Sequence, residues 1–233
     1  MTRTSTEASR IDWYADPQKR KISRNHDLLY ALNYSRFVGR LVRPTQPLKV
    51  VDIGCGYGEF FKCLFYRDHP VEYIGVDPDK TCIEYLANLH LVGCRPILGK
   101  AEEAIEAIKT CQPDLVVSIL SLALWDAPMD SLRAISRVLP TGSSLIVVDL
   151  LKLKTITKIS GVSPLVTYKI DQLNRSMDLE RVQILKEELS RDLDVEVSWI
   201  VDDGKGPKYV EKSRLSGQRP FTTLFQIVAT KKS

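Results

Sequence analysis

The segment Val50-Val51-Asp52-Ile53-Gly54-Cys55-Gly56-Tyr57-Gly58 has the residue types and spacing of a ligand-binding turn. Alternate glycines permit a tight turn and bring the backbone close to a ligand, because glycine reaches positive φ without a Cβ penalty. A dinucleotide fingerprint needs glycine at its sixth position, and Glu59 stands there instead. A carboxylate at Asp52 suits a cationic ligand better than a pyrophosphate, since like charges repel. A second acid, Asp77, ends the run Ile74-Gly75-Val76-Asp77. It lies about 20 residues past the turn, the interval at which a carboxylate meets ribose hydroxyls in nucleotide-binding α/β folds. Asp79 is the second candidate for that role. Either acid is also a good helix cap.

The elements that must position these residues alternate. Apolar runs bounded by glycine or acid at Leu48–Gly54, Val71–Asp77, Arg95–Leu98, Asp114–Leu120 and Ser144–Leu151 predict buried strands. Between them, helical spacing predicts helices over 59–67, 79–91, 101–109 and 129–138, with Gly93 as a C-terminal cap. Such βαβα alternation implies a mostly parallel sheet covered on both faces. An amphipathic helix over Asn25–Val42 ends before Pro44. After the fifth strand, 152–177 has weak periodicity, 178–191 reads as helix, and 195–201 and 221–230 read as a strand pair. Residues 202–219 are charged and broken by glycine and proline, which predicts a loop.

The spacing Asp-x-Gly-x-Gly-x-Gly resembles motif I of the class I S-adenosylmethionine-dependent methyltransferases. Gly99-Lys100-Ala101-Glu102 is similar to the family's third motif, with Lys100 where an acid is usual. Pro113–Trp125 and Leu139–Val148 are similar to its fourth and fifth, so the resemblance covers about residues 48–150 in order. It implies a Rossmann-like, doubly wound sheet of seven mostly parallel strands with an antiparallel last strand. It also implies S-adenosyl-L-methionine as cofactor, S-adenosyl-L-homocysteine (SAH) as product, and in-line SN2 transfer of a methyl group. Cofactor contacts fall on Asp52, Gly54, Cys55, Gly56, Gly58, Asp77, Pro78, Ala101, Glu102 and Ser118. Asp52 takes the methionine ammonium.

The family's Asn/Asp-Pro-Pro-aromatic tetrad is missing, because Ser118-Ile119-Leu120-Ser121 stands after strand four. No histidine base follows either. His26, Asp126 and Tyr14 are the candidate bases, and Trp13, Tyr14, Trp125 and Tyr168 the candidate acceptor contacts. Residues 1–45 are expected to form a helical extension and 46–233 the catalytic domain, with 152–177 a lid-like insertion. Five scattered cysteines with no metal-ligand spacing predict reduced thiols, no metal site and a cytoplasmic protein. The net charge of +4 is too small to indicate a dedicated nucleic-acid binder, and no apolar run spans a bilayer. The expected partner is a small-molecule acceptor of the secondary-metabolite kind, with the chain monomeric or homodimeric. The alternatives are an RNA or protein methyltransferase of the same fold, or a non-catalytic cofactor-binding subunit.

Overall fold

The apolar runs pair into one eight-stranded sheet in the order β3-β2-β1-β4-β5-β8-β6-β7. Its strands are β1 (Leu48–Ile53), β2 (Val71–Asp77), β3 (Cys94–Leu98), β4 (Leu115–Ile119), β5 (Ser144–Leu150), β6 (Leu193–Asp202), β7 (Pro207–Val210) and β8 (Thr223–Lys231). The helices are α1 (Glu59–Phe65), α2 (Lys80–Asn88), α3 (Ala101–Cys111), α4 (Pro128–Val138), α5 (Pro164–Arg175) and α6 (Leu179–Leu189). This computed structural model describes residue 38 and residues 46–65, 70–156, 164–202, 207–218 and 223–232. The N-terminal helix expected over 25–42 lies outside these residues, apart from Val38, which is buried.

Strands β1 to β5 pair in parallel, and β8 runs antiparallel between β5 and β6. Side chains alternate across the strands, so each run feeds two apolar layers. Val51, Ile53, Val116 and Val147 pack with Ala104, Ile108, Leu132, Ile135 and Leu185 from α3, α4 and α6. Val50, Tyr73, Val117 and Val148 pack with Phe60, Phe61, Leu64 and Leu86 from α1 and α2. The strand order reverses between β1 and β4, and ligands of open α/β sheets sit at such a switch point, beyond the carboxyl ends of the strands.

Three features differ from the sequence expectation. The sheet has eight strands rather than seven, because β7 forms inside the segment expected to be a loop. It pairs antiparallel with the end of β6. An edge strand needs one partner only, and Pro207 and Lys208 are residues that such edges tolerate. The insertion contains helix α5, whose periodicity is weak in sequence. Helix α2 ends earlier than expected, and His90 rather than Gly93 takes the left-handed position after it, with φ 47°. Gly93 serves instead for close approach, since a Cβ there would overlap the Val71 carbonyl oxygen.

Candidate functional site

The carboxyl ends of β1, β2 and β4 carry the residues singled out in the sequence. Gly54, Gly56 and Gly58 adopt φ of 74°, 52° and 74°, a region other residues enter at a cost. A Cβ at Gly54 would overlap the Ser121 side chain, and one at Gly58 would overlap Leu86. A Cβ at Gly56 would meet nothing within 4 Å, so this glycine is on the open side of the turn.

The turn's N–H groups are largely consumed by the protein. Gly54 and Cys55 both donate to the Val76 carbonyl, at 2.8 and 3.2 Å, and Gly58 donates to the Cys55 carbonyl at 2.9 Å. Gly56 N–H donates to Asp77 Oδ2 at 2.9 Å, while Asp77 Oδ1 accepts from Asp79 N–H at 2.8 Å. Asp77 therefore braces the turn from β2. Asp79 caps α2 by accepting from Thr81 N–H at 2.8 Å. An anion cradle offers a row of free N–H donors, and the donors named here are already taken.

Asp52 lies beneath the turn, 3% exposed, with Oδ2 accepting from the Tyr73 hydroxyl at 2.6 Å. Burial pushes its carboxyl up to about 7, against the opposing pull of the Tyr73 hydrogen bond, and the nearby Asp77 charge adds to the rise. Cys55 is buried beside it, and burial drives its thiol far upward, so it is no nucleophile at neutral pH.

Ser118 is fully buried rather than at the open edge. Its Oγ is 2.8 Å from Ser121 Oγ, which donates to the Ile53 carbonyl at 2.8 Å. The pair ties the end of β4 to the end of β1. Leu120, between them, adopts φ 59°, and its N–H donates to the Val148 carbonyl at 2.7 Å. A branched residue held left-handed marks a backbone fixed by its surroundings.

Ala101 opens α3 with its side chain buried, whereas Glu102 and Pro78 are exposed. Glu103 folds back to accept from Lys100 N–H at 2.7 Å, a helix-start bond that satisfies one orphan donor. Lys100 Nζ reaches Asp126 at 2.7 Å and bridges the turns after β3 and β4. The same hydrogen bond holds Asp126 below the ordinary carboxylate range, which makes it a poor proton acceptor. Trp125 is half-buried against the apolar layer of α3, α4 and α6.

The sequence reading missed three groups. Tyr73 is a phenol inside a buried strand, and a buried hydroxyl demands a partner. Ser121 carries no motif signal of its own. Asp149 ends apolar strand β5, where a buried acid also needs donors. It accepts from Ala123 N–H at 2.8 Å and from Leu150 N–H at 2.6 Å, and so anchors the 3-10 turn Leu122–Leu124. Its burial raises its carboxyl to about 6.

The insertion folds back over the same edge. Helix α5 packs against the 3-10 turn, and Gln172 Nε2 lies 3.4 Å from the Leu120 carbonyl. Asn174 accepts from Ile156 N–H at 3.1 Å and donates to the Ile156 carbonyl at 2.8 Å. Tyr168 falls within α5, but its side chain lies outside the described residues, as do Trp13, Tyr14 and His26. Among the described residues, no cluster of three His, Cys, Asp or Glu side chains is placed to hold a metal, and no helix is long and apolar enough to cross a membrane.

Residues 51–147 match a family model described as a methyltransferase domain. No curated protein matches the chain. Among solved structures, it is similar to the plantazolicin methyltransferase BpumL in complex with a pentazolic desmethylPZN analog and SAH. That pair is 21% identical with a TM-score of 0.66, covering 95% of this chain and 93% of that one. A SAM-dependent methyltransferase from Archaeoglobus fulgidus is 14% identical, with a TM-score of 0.59 over 93% of this chain and 100% of that one. The [4+2]-cyclase SpnF is 16% identical, with a TM-score of 0.57 over 88% and 81%. Residues 51–147 thus carry a methyltransferase domain, on a Rossmann-like sheet whose fold the methyltransferases among these solved structures share.

Proposed function

We propose that the chain binds S-adenosyl-L-methionine at the edge built by β1, β2 and β4 and transfers its methyl group to an oxygen or nitrogen of a small-molecule acceptor. The glycine turn carries this reading. Its named N–H groups are spent on the protein, and a buried carboxylate stands beneath it. Such a turn disfavours phosphate and suits a ligand with a cationic amino-acid end. Asp52 would face the ammonium, and Gly54, Cys55, Gly56 and Gly58 would line the turn. Asp77, at the carboxyl end of β2 beside the turn, would meet the ribose hydroxyls. Pro78, Ala101 and Glu102 border the adenosine end. Ser118 acts from within, through Ser121.

When bound, the cofactor would supply a methyl group activated by its sulfonium, which an in-line nucleophile would take up while SAH leaves with the sulfur electron pair. What this chain adds is position, and holding the reactants in line supplies much of the rate. Residues 46–233 form the catalytic domain in this reading. Helix α5 of the insertion, held beside the turn after β4 by Gln172 and tied to Ile156 by Asn174, would cover the acceptor. The similarity to a structure holding plantazolicin analogs supports a small acceptor.

The test is transfer of labelled methyl from S-adenosyl-L-methionine to a panel of phenols, alcohols and amines, with RNA and peptides in parallel. Label on a small molecule supports the reading. Label on RNA, with binding that falls steeply as salt rises, replaces it with the nucleic-acid alternative. Binding without transfer to any class points to the non-catalytic subunit. The SpnF similarity shows why transfer itself must be read, since one fold hosts several reactions.

A further inference from the structure

Gly75 sits opposite Asp52 in the β1–β2 register, and Tyr73 lies two residues before it on the same face of the sheet. A Cβ at Gly75 would stand 2.8 Å from Cys55 Sγ and 2.9 Å from Tyr73 Cε1. The missing side chain thus leaves the space through which the Tyr73 ring leans along β2 toward Asp52. Phe61 holds that ring from α1, with centroids 4.9 Å apart, and the hydroxyl donates to Asp52 Oδ2 at 2.6 Å. A phenol is a costly choice for a fully buried strand position, and this one spends its donor on the carboxylate beneath the turn.

We propose that Tyr73 is a positioning residue for the cofactor: its hydroxyl, seated through the gap at Gly75, orients the Asp52 carboxylate toward the ammonium of the methionine moiety. The inference rests on the cofactor reading above. The titratable groups facing Asp52 among the described residues are Tyr73 and Asp77 on β2 and Cys55 in the turn. On the β4 side its register partner is the apolar Val117. Asp77 and burial both favour the protonated carboxyl, and the Tyr73 hydrogen bond opposes them. Burial and the adjacent Asp52 charge raise the Tyr73 phenol well above its ordinary range, so it remains a donor at any working pH.

The experiment measures affinity by calorimetry from pH 6 to 8 for wild type, Tyr73→Phe, Asp52→Asn and the double variant. Two ligands are used: S-adenosyl-L-methionine, and 5′-methylthioadenosine, which lacks the amino-acid end. Phenylalanine keeps the ring contact with Phe61, and retained methylthioadenosine binding reports an intact site. A hydrogen bond to a charged group predicts about a tenfold loss of S-adenosyl-L-methionine affinity at pH 7 in Tyr73→Phe. The rise of that affinity with pH should move upward by roughly one pH unit. Methylthioadenosine affinity should stay within about twofold, and adding Tyr73→Phe to Asp52→Asn should cost nothing more. Unchanged S-adenosyl-L-methionine affinity, or an equal loss for both ligands, overturns the proposal while leaving the cofactor reading intact. Wild-type protein that binds neither ligand overturns both.

Discussion

At the residue scale, the structure separates carboxylates that store electrostatic cost from those that relieve it. Asp52 and Asp149 are buried, with carboxyls raised to about 7 and about 6. Each binds its proton more tightly in the folded chain than in the unfolded one. Folding stability from these two groups is therefore complete below the unfolded value near 4, and it falls as pH rises toward 6 and 7. Asp126 and Glu188, whose carboxyls are lowered by Lys100 and Arg133, act the opposite way and only at acidic pH. The ligand-free chain should thus lose Tm between pH 5 and pH 8. Asp52→Asn should remove most of that slope and raise Tm at pH 8 by at least about 3 °C, while weakening cofactor binding. Scanning calorimetry across this range checks it, and an unchanged slope in the variant would remove the cost assigned to Asp52. Asp77→Ala should loosen the turn by freeing the Gly56 N–H and weaken cofactor affinity at least about tenfold, as read by titration.

At the scale of elements, the glycines of one turn do different things. Gly54 and Gly58 permit packing against Ser121 and Leu86, and Gly56 faces open space. Gly54→Ala should therefore lower Tm well beyond the roughly 1 kcal/mol that left-handed backbone alone costs. Gly56→Ala should cost only that strain, about 3 °C, yet weaken cofactor binding more than it weakens the fold. Equal Tm losses in the two variants would contradict the division. The insertion makes a parallel prediction: Asn174→Ala, which cuts both bonds to Ile156, should raise the acceptor KM severalfold and leave cofactor affinity within about twofold. Steady-state kinetics with the first accepted substrate tests this. Strands β1, β2, β4 and β5 were readable in sequence because a parallel strand buried on both faces is nearly all apolar, whereas β3 is a half-buried edge strand marked mainly by its place in the alternation. Helix α5 and strand β7 were not, because their order comes from tertiary partners: Ile156 and the β4 turn for one, the end of β6 for the other.

At the scale of the whole molecule, one switch point in one sheet brings together residues far apart in the chain. The glycine turn, Asp77 and the buried end of β4 meet there because β1 lies between β2 and β4. The motif spacing made Asp52 and Asp77 legible as a pair. It did not reveal Tyr73, Ser121 or Asp149, whose roles come from hydrogen bonds across neighbouring strands and turns. Ser118 was chosen by motif position, but its side chain points into the core. The proposed acceptor side was less legible, because the insertion's sequence carries little periodicity. The central claim is that this edge holds S-adenosyl-L-methionine, and its most direct test is calorimetric titration of the full chain with that ligand and, separately, with SAH. The account predicts saturable binding of both, a single equivalent per chain, with both lost in Gly54→Val. Absence of binding by either ligand to the folded wild-type chain would contradict it.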